Sequence, residues 1–205
     1  PFAVPRKYYS DFPLEEIQLP PYREDDLEDL PPAGVRMAKP RGDHARFLKS
    51  GRWKDCIRSY LATVAYTDMN IGRLLAALDG GPYRDDTIVV LVSDQGYHLG
   101  ERGWWNKNTL FELTARTPMI VYAPQMKACG KPCSRLVEFV DIYPTLCDLA
   151  GLEIPSHLPG ESLVPLMDGK AERVKDFALS QYPRTPGGKV YMGYALRDER
   201  YRYIA

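Results

Sequence analysis

Residues 87–124 read TIVVLVSDQGYHLGERGWWNKNTLFELTARTPMIVYAP, and the reading of this stretch decides the fold. Thr87 to Val92 is a short apolar run rich in β-branched side chains, the pattern of a strand buried on both faces of a mainly parallel sheet. It stops at Ser93-Asp94-Gln95-Gly96. A second apolar run, Met119 to Tyr122, follows Pro118 and reads as another strand.

The flanking segments extend this pattern. Between Trp53 and Leu78, apolar residues recur at spacings of three and four (Trp53, Cys56, Ile57, Tyr60, Leu61, Val64, Ile71, Leu74, Leu75, Leu78), the stripe of a long amphipathic helix. DGGPYRDD, residues 79–86, stops that helix; it lacks the alternating oxygen ligands and distal glutamate of a calcium loop and reads as a turn. DIYPTLCDLAG reads as a short helix ended by Gly151, and FALSQY and MGYALRDERYRYIA as late strands. The order helix, strand, loop, strand, helix, strand is that of an α/β fold, a layered sheet with helices on its faces and a small C-terminal α+β portion. Eight of the 18 prolines fall in residues 1–40, where no helical or strand period is sustained. Proline fixes φ and removes a donor, so this arm is expected to be extended and to lie against something larger. No internal repeat or low-complexity tract interrupts the chain.

Composition excludes several function classes. With 205 residues, 44% of them hydrophobic and 26% charged, the chain has enough apolar material for a core and is neither disordered nor collagen-like. Lys+Arg and Asp+Glu both number 27, so no net field draws it to nucleic acid or an anionic membrane. An anion must therefore be gripped locally. Apolar runs such as Ile88 to Val92 are too short to span a bilayer, and the sequence shows no signal-like segment. Cys56 and Cys147 stand at apolar positions of helical patterns and read as core packing. Cys129 and Cys133, in CGKPC, either close a small loop disulfide or stay free; the further ligands that a zinc site needs are missing.

Chemistry concentrates after the first strand. In open α/β sheets ligands sit beyond the carboxyl ends of strands, where Asp94 falls. Asp94 and Gln95 offer hard oxygen atoms within one turn, and Gly96 lets the backbone bend away. That suits Ca²⁺ or Mg²⁺, while the plainer alternative is an aspartate that caps the next turn. Lys107 follows a loop containing Gly100 and Gly103 and is flanked by Trp104, Trp105, Asn106 and Asn108. An ammonium kept near a divalent cation implies an anion between them, phosphate or sulfate; the alternative is an ordinary surface lysine.

The pattern SDxGxxLGExGxxxK over residues 93–107 resembles the C-terminal half of the sulfatase catalytic domain, within the alkaline-phosphatase-like superfamily. PFAVPRKYYSDFPLEEIQLPP, SYLATVAYTDMNIGRLLAALD, VDIYPTLCDLAGLEIP, LPGESLVPLM and SQYPRTPGGKVYMGYALRDERYRYIA support it, and the first and last are most like the iduronate-2-sulfatase-like branch. The resemblance implies that Asp94 and Gln95 are two ligands of an active-site Ca²⁺ and that Lys107 contacts the sulfate and stabilises the leaving oxygen. It places Tyr97 and His98 where they could line the substrate pocket, with packing and structural roles as the alternatives. It also implies a catalytic-domain part over 1–150, the start of a C-terminal subdomain over 151–205, a sulfated carbohydrate or small sulfate ester as substrate, and a periplasmic, extracellular or lysosomal-type compartment.

The sequence departs from the family in one respect. Sulfatases carry a formylglycine made from the Cys or Ser of C-x-P-x-R or S-x-P-x-R, and nothing here fits. KPCSR, residues 131–135, has its proline before Cys133, has Arg135 only two residues after it, and lies beyond the metal motif rather than before it. The early Asp-Asp ligands and catalytic His are missing too. The chain is therefore expected to be a portion of a sulfatase whose missing N-terminal half is its partner, inactive alone, and to leave apolar side chains of the Trp53–Leu78 helix exposed. Two other readings stand beside this: a phosphomonoester, phosphodiester or phosphonate hydrolase of the same superfamily, and a non-catalytic lobe, which would show no Ca²⁺ binding by calorimetry.

Overall fold

The structure, a computed structural model, describes residues 2–38, 42–126 and 130–205. It contains two compact units, Pro1–Arg84 with Tyr97–Lys107 and Asp85–Gly96 with Asn108–Ala205. The α/β class is as expected.

The first unit is organised around its long helix. Three helices precede or form its frame: α1 (Pro32–Ala38), α2 (Asp43–Ser50) and α3 (Trp53–Asp79). The apolar period foretold α3 to within a residue at each end. The sequence reading missed α2, whose eight residues are too few to display a period. Gly51, at φ +68°, closes α2 by donating its backbone N–H to Leu48 O, in a conformation that glycine adopts without strain. The proline-rich arm is less extended than expected: among its described residues it has a 3₁₀ turn at Arg6–Tyr9, then successive turns, and ends in α1, which the sequence reading also missed. It does lie along α3. Arg58 donates from Nε and Nη2 to Tyr9 O at 3.2 and 3.0 Å, and Tyr8 meets Tyr66 edge to face at 5.2 Å. Ile17 from the arm joins Trp53 and Ile57 as the buried nucleus, with Phe12, Tyr22, Phe47, Leu61, Leu99 and Trp105 packed around it.

This unit also contains a hairpin of two-residue strands, β2 (His98–Leu99) and β3 (Trp105–Asn106), paired antiparallel with His98 opposite Asn106. Strands this short carry no period. Their register is set instead by tertiary contact: Trp53 donates its indole N–H to Leu99 O at 2.6 Å.

In the second unit β1 (Val89–Val92) pairs with β4 (Met119–Tyr122), Val89 opposite Tyr122 and Val92 opposite Met119. The pairing is antiparallel, which corrects the expectation of a parallel, doubly buried strand. Among the described residues this sheet has two strands only, so Val92, Ile120 and Tyr122 stay exposed. The apolar run records burial that these two strands do not supply. A second sheet, β5 (Ala178–Arg184), β6 (Tyr191–Arg197) and β7 (Arg202–Ile204), is an antiparallel meander, as the late strand patterns foretold.

Charge fastens this unit together. Asp141 is fully buried, accepting from Glu138 N at 2.7 Å, Glu161 N at 2.9 Å and Lys175 Nζ at 2.7 Å. Lys175 also donates to Glu138 at 2.6 Å. Burial disfavours the Lys175 ammonium, but the two carboxylates outweigh it and its pKa is raised. Helix α5 (Ile142–Leu149) starts at this knot and ends before Gly151, as expected. Short helices α4 (Glu112–Ala115) and α6 (Val164–Met167) had no sequence signature. On α4, Glu112 accepts from Arg202 Nη2 at 2.7 Å and Arg197 Nε at 3.3 Å, which ties it to β6 and β7.

Cys147 is buried, as expected, and Cys56 half-buried; Cys133 is an exposed free thiol. Its proposed partner, Cys129, lies outside the described residues. On α3, Val64, Leu74 and Leu75 are exposed apolar side chains. No described helix is long and apolar enough to cross a membrane.

Candidate active site

The motif divides between the two units. Asp94 and Gln95 follow β1 in the second, and Tyr97 to Lys107 form the hairpin of the first.

On the β1 side, the bend after Val92 is fixed by three hydrogen bonds, two of them between backbone groups. Ser93 N donates to Pro118 O at 3.4 Å, Ser93 Oγ donates to Gln95 O at 2.9 Å, and Gly96 N donates to Thr114 O at 2.9 Å. Gly96 passes so close to the Leu113 carbonyl that a Cβ would collide with it. The glycine is thus needed for close approach, and the turn it permits leaves Asp94 exposed and Gln95 half-buried. Among the described residues the Asp94 carboxylate has no hydrogen bond or ion pair, so the turn-cap alternative finds no support.

The hairpin is the opposite case, with its polar groups used internally. Gly100, at φ +112°, lies against the Trp53 indole where any Cβ would collide. Its N–H donates to Trp104 O at 2.9 Å. Glu101 accepts from Leu99 N at 2.7 Å and faces His98 Nδ1 at 3.8 Å. Burial works against the Glu101 carboxylate, but His98 and the backbone amides outweigh it, and its pKa is lowered. Two non-glycine residues, Arg102 (φ +53°) and Asn106 (φ +68°), adopt left-handed backbone here. Such conformations cost about 1 kcal/mol each and persist where the surroundings impose them. Asn106 shows what imposes its own: it accepts from the Tyr97 hydroxyl at 2.7 Å and donates to Asp43 at 3.3 Å.

The candidate residues therefore have different surroundings. Tyr97 is half-buried, stacked on Tyr60 at 5.9 Å, with its hydroxyl engaged by Asn106. His98 is only 2% exposed, held beneath the hairpin beside Glu101 and Trp104, the structural position weighed as its alternative. Lys107, directly after Asn106, is exposed, and its ammonium has no hydrogen bond or ion pair among the described residues. Trp53, Asp43 and His44, which hold the hairpin, escaped sequence reasoning because they lie far from it in sequence, while Glu101 stood within the SDxGxxLGExGxxxK pattern without being assigned a role. Among the described residues no three His, Cys, Asp or Glu side chains gather as a metal cage. Asp94 and Gln95 each offer an oxygen donor of the kind that a hard cation takes.

Residues 5–152 match the Sulfatase family. The chain belongs to the sulfatase family. Residues 100–205 match the N-sulphoglucosamine sulphohydrolase C-terminal family as well. A sulfatase of Formosa agariphila is 39% identical over 100% of this chain and 39% of its own length. Human iduronate 2-sulfatase is 29% identical over 99% of this chain and 49% of its own, in keeping with the iduronate-2-sulfatase-like resemblance. This sulfatase chain thus spans less than half the length of those relatives. Among solved structures, a protein in complex with its substrate D-glucosamine-2-N,6-O-disulfate has a TM-score of 0.69 at 34% identity, covering 84% of this chain and 35% of that one. A phosphonate monoester hydrolase from Silicibacter pomeroyi reaches a TM-score of 0.85 at 25% identity, over 100% of this chain and 45% of that one.

Proposed function

We propose that this chain is the C-terminal portion of a sulfate-ester hydrolase in which Asp94 and Gln95 serve as ligands of a hard cation and Lys107 serves as a sulfate contact. The observation that carries the reading is the sulfatase-family match over residues 5–152, which takes in the whole Ser93–Lys107 motif. It is supported by a carboxylate and an ammonium that follow tightly tied turns yet have no partner among the described residues.

The Asp94 carboxylate and the Gln95 amide oxygen would hold Ca²⁺, with Mg²⁺ as the other hard cation of this chemistry. When bound, that ion supplies Lewis-acid polarisation of the sulfate oxygens. Lys107 would donate charge-assisted hydrogen bonds to a sulfate oxygen and offset the negative charge developing on the leaving alcohol oxygen. An ammonium on a hairpin held as firmly as this one needs little reorganisation as that charge develops, which is what makes such a contact effective. The formylglycine nucleophile would come from a segment outside this chain, so these residues alone would be inactive. In that frame residues 1–150 belong to the catalytic domain and 151–205 begin a C-terminal subdomain.

The substrate class we infer is a sulfated carbohydrate, sulfated uronic acids of glycosaminoglycans included; the names of the human relative and of the D-glucosamine-2-N,6-O-disulfate complex support a sugar sulfate. The fold likeness to a phosphonate monoester hydrolase supports a second reading, a phosphoester or phosphonate hydrolase. The full-length protein, assayed with an aryl sulfate, a sulfated uronic-acid disaccharide, an aryl phosphate and an aryl phosphonate, separates the two. Turnover of a sulfate ester with little of the phosphorus esters is expected; the reverse preference would replace the sulfatase reading with the second.

A further inference from the structure

We propose that the consecutive residues Asp43 and His44 are positioning residues that grip the consecutive residues Trp105 and Asn106 and so fix where the Lys107 ammonium stands, a grip that requires an unprotonated Nδ1 on His44. The inference rests on the sulfatase reading of Lys107 and adds to it the device that places the lysine.

Two hydrogen bonds make the grip. Trp105 Nε1 donates to His44 Nδ1 at 3.1 Å, and Asn106 Nδ2 donates to Asp43 Oδ2 at 3.3 Å. The residues that donate them are the last two before Lys107. Asn106 adopts φ +68° under this hold, and the Tyr97 hydroxyl donates to its Oδ1 at 2.7 Å from the other side. The Trp105 indole is fixed in plane as well, stacked on Phe47 of α2 at 4.2 Å. Helix α2 therefore fixes both the ring and the backbone from which the lysine departs.

The choice of histidine is informative. His44 is only 6% exposed, with Tyr22 at 4.4 Å and Trp53 at 4.8 Å, surroundings in which a phenyl ring would pack equally well. Its Nε2 has no partner among the described residues. A buried donor left unpaired costs on the order of 1–3 kcal/mol, so the imidazole carries a penalty that phenylalanine would not. What the imidazole adds is one acceptor. An indole N–H only donates, so Nδ1 must be bare and Nε2 must carry the hydrogen.

Protonation would break the grip, since imidazolium has no acceptor. The titratable neighbours of His44 are Asp43, next to it on its own helix, and Tyr22 on the arm, whose ring lies at 4.4 Å; α3 and the hairpin present Trp53, Trp105 and Gly103, which do not titrate. Burial pushes the His44 pKa below its ordinary value of about 6.5. The clasp is thus complete above that value and is lost as pH falls through the folded-state pKa.

The test uses the full-length enzyme with a sulfate-ester assay, thermal melting and an indole ¹H–¹⁵N spectrum. His44→Phe fills the space without an acceptor and is expected to lower kcat ~10-fold or more, as small misplacements of a catalytic group do. His44→Asn places an amide oxygen near Nδ1 and cannot titrate; it is expected to restore kcat to within about threefold and to extend the acid limb of the pH profile. Asp43→Ala, at a half-buried carboxylate that also meets Arg46 at 3.4 Å, covers the case in which the core variant fails to fold, and is expected to lower kcat with little change in melting temperature. The Trp105 indole signal should shift as His44 titrates in wild type and stay put in His44→Asn. Wild-type kcat in both His44→Phe and Asp43→Ala, with Lys107→Ala still impaired, would overturn the inference and leave the sulfatase reading intact. Wild-type turnover in Lys107→Ala would remove both together.

Discussion

The hairpin carrying Lys107 and the strand pair leading to Asp94 are adjacent in sequence and built on opposite principles. In the hairpin nearly every polar group has an internal partner: the Trp53 indole binds Leu99, Glu101 caps the turn, and Asn106 is held by Tyr97 and Asp43. The β1–β4 pair keeps its ladder but leaves Val92, Ile120 and Tyr122 exposed. One region closes its core with residues of this chain. The other presents apolar surface of the kind that a longer protein covers. This fits a chain that spans 39% and 49% of the two relatives.

That contrast can be broken at its strongest point first. Trp53→Ala in the full-length protein removes the buried indole that seats Gly100 and binds Leu99, and is expected to cost about 3–5 kcal/mol by chemical denaturation. Gly100→Ala forces a methyl group into that indole at φ +112°, combining left-handed strain with overpacking, for an expected loss of about 2–4 kcal/mol. A loss below 1 kcal/mol at both would mean the hairpin is not seated on α3. At the other end of the scale stands Leu74 on α3, which is 72% exposed. Leu74→Ser should change the stability of this chain alone by no more than about 0.5 kcal/mol. The same substitution in a full-length protein sharpens the comparison, since a larger loss there would reveal that sequence beyond these residues covers this face.

Much of the fold was legible because it is periodic. The three-and-four spacing from Trp53 gave α3, Met119 to Tyr122 gave β4, and the stop at Gly151 gave the end of α5. The β1 run was legible as a strand but misleading about its neighbours, because apolarity reports burial in the whole protein and not which strand lies alongside. Helix α2 and the β2–β3 hairpin were silent: eight residues and two-residue strands carry no period, and what holds them are contacts such as Trp53 with Leu99 and His44 with Trp105, 46 and 61 residues apart. The candidate site was legible as residue types. Asp94, Gln95 and Lys107 stood out by setting, while the groups that immobilise the lysine did not, since they lie far away in sequence and are recognisable only by distance.

The central claim is that Lys107 acts on sulfate, and the most direct measurement is steady-state hydrolysis of an aryl sulfate and a sulfated uronic-acid disaccharide by the full-length protein and its Lys107→Ala and Lys107→Arg variants, with thermal unfolding as the control. Lys107 is exposed and has no partner among the described residues, so both variants should melt as wild type does. Lys107→Ala should lose ~10² or more in kcat/KM, the scale of one lost preorganised charge contact. Lys107→Arg should recover little, because a planar guanidinium does not occupy an ammonium's point-like place. Wild-type turnover in Lys107→Ala would contradict the account.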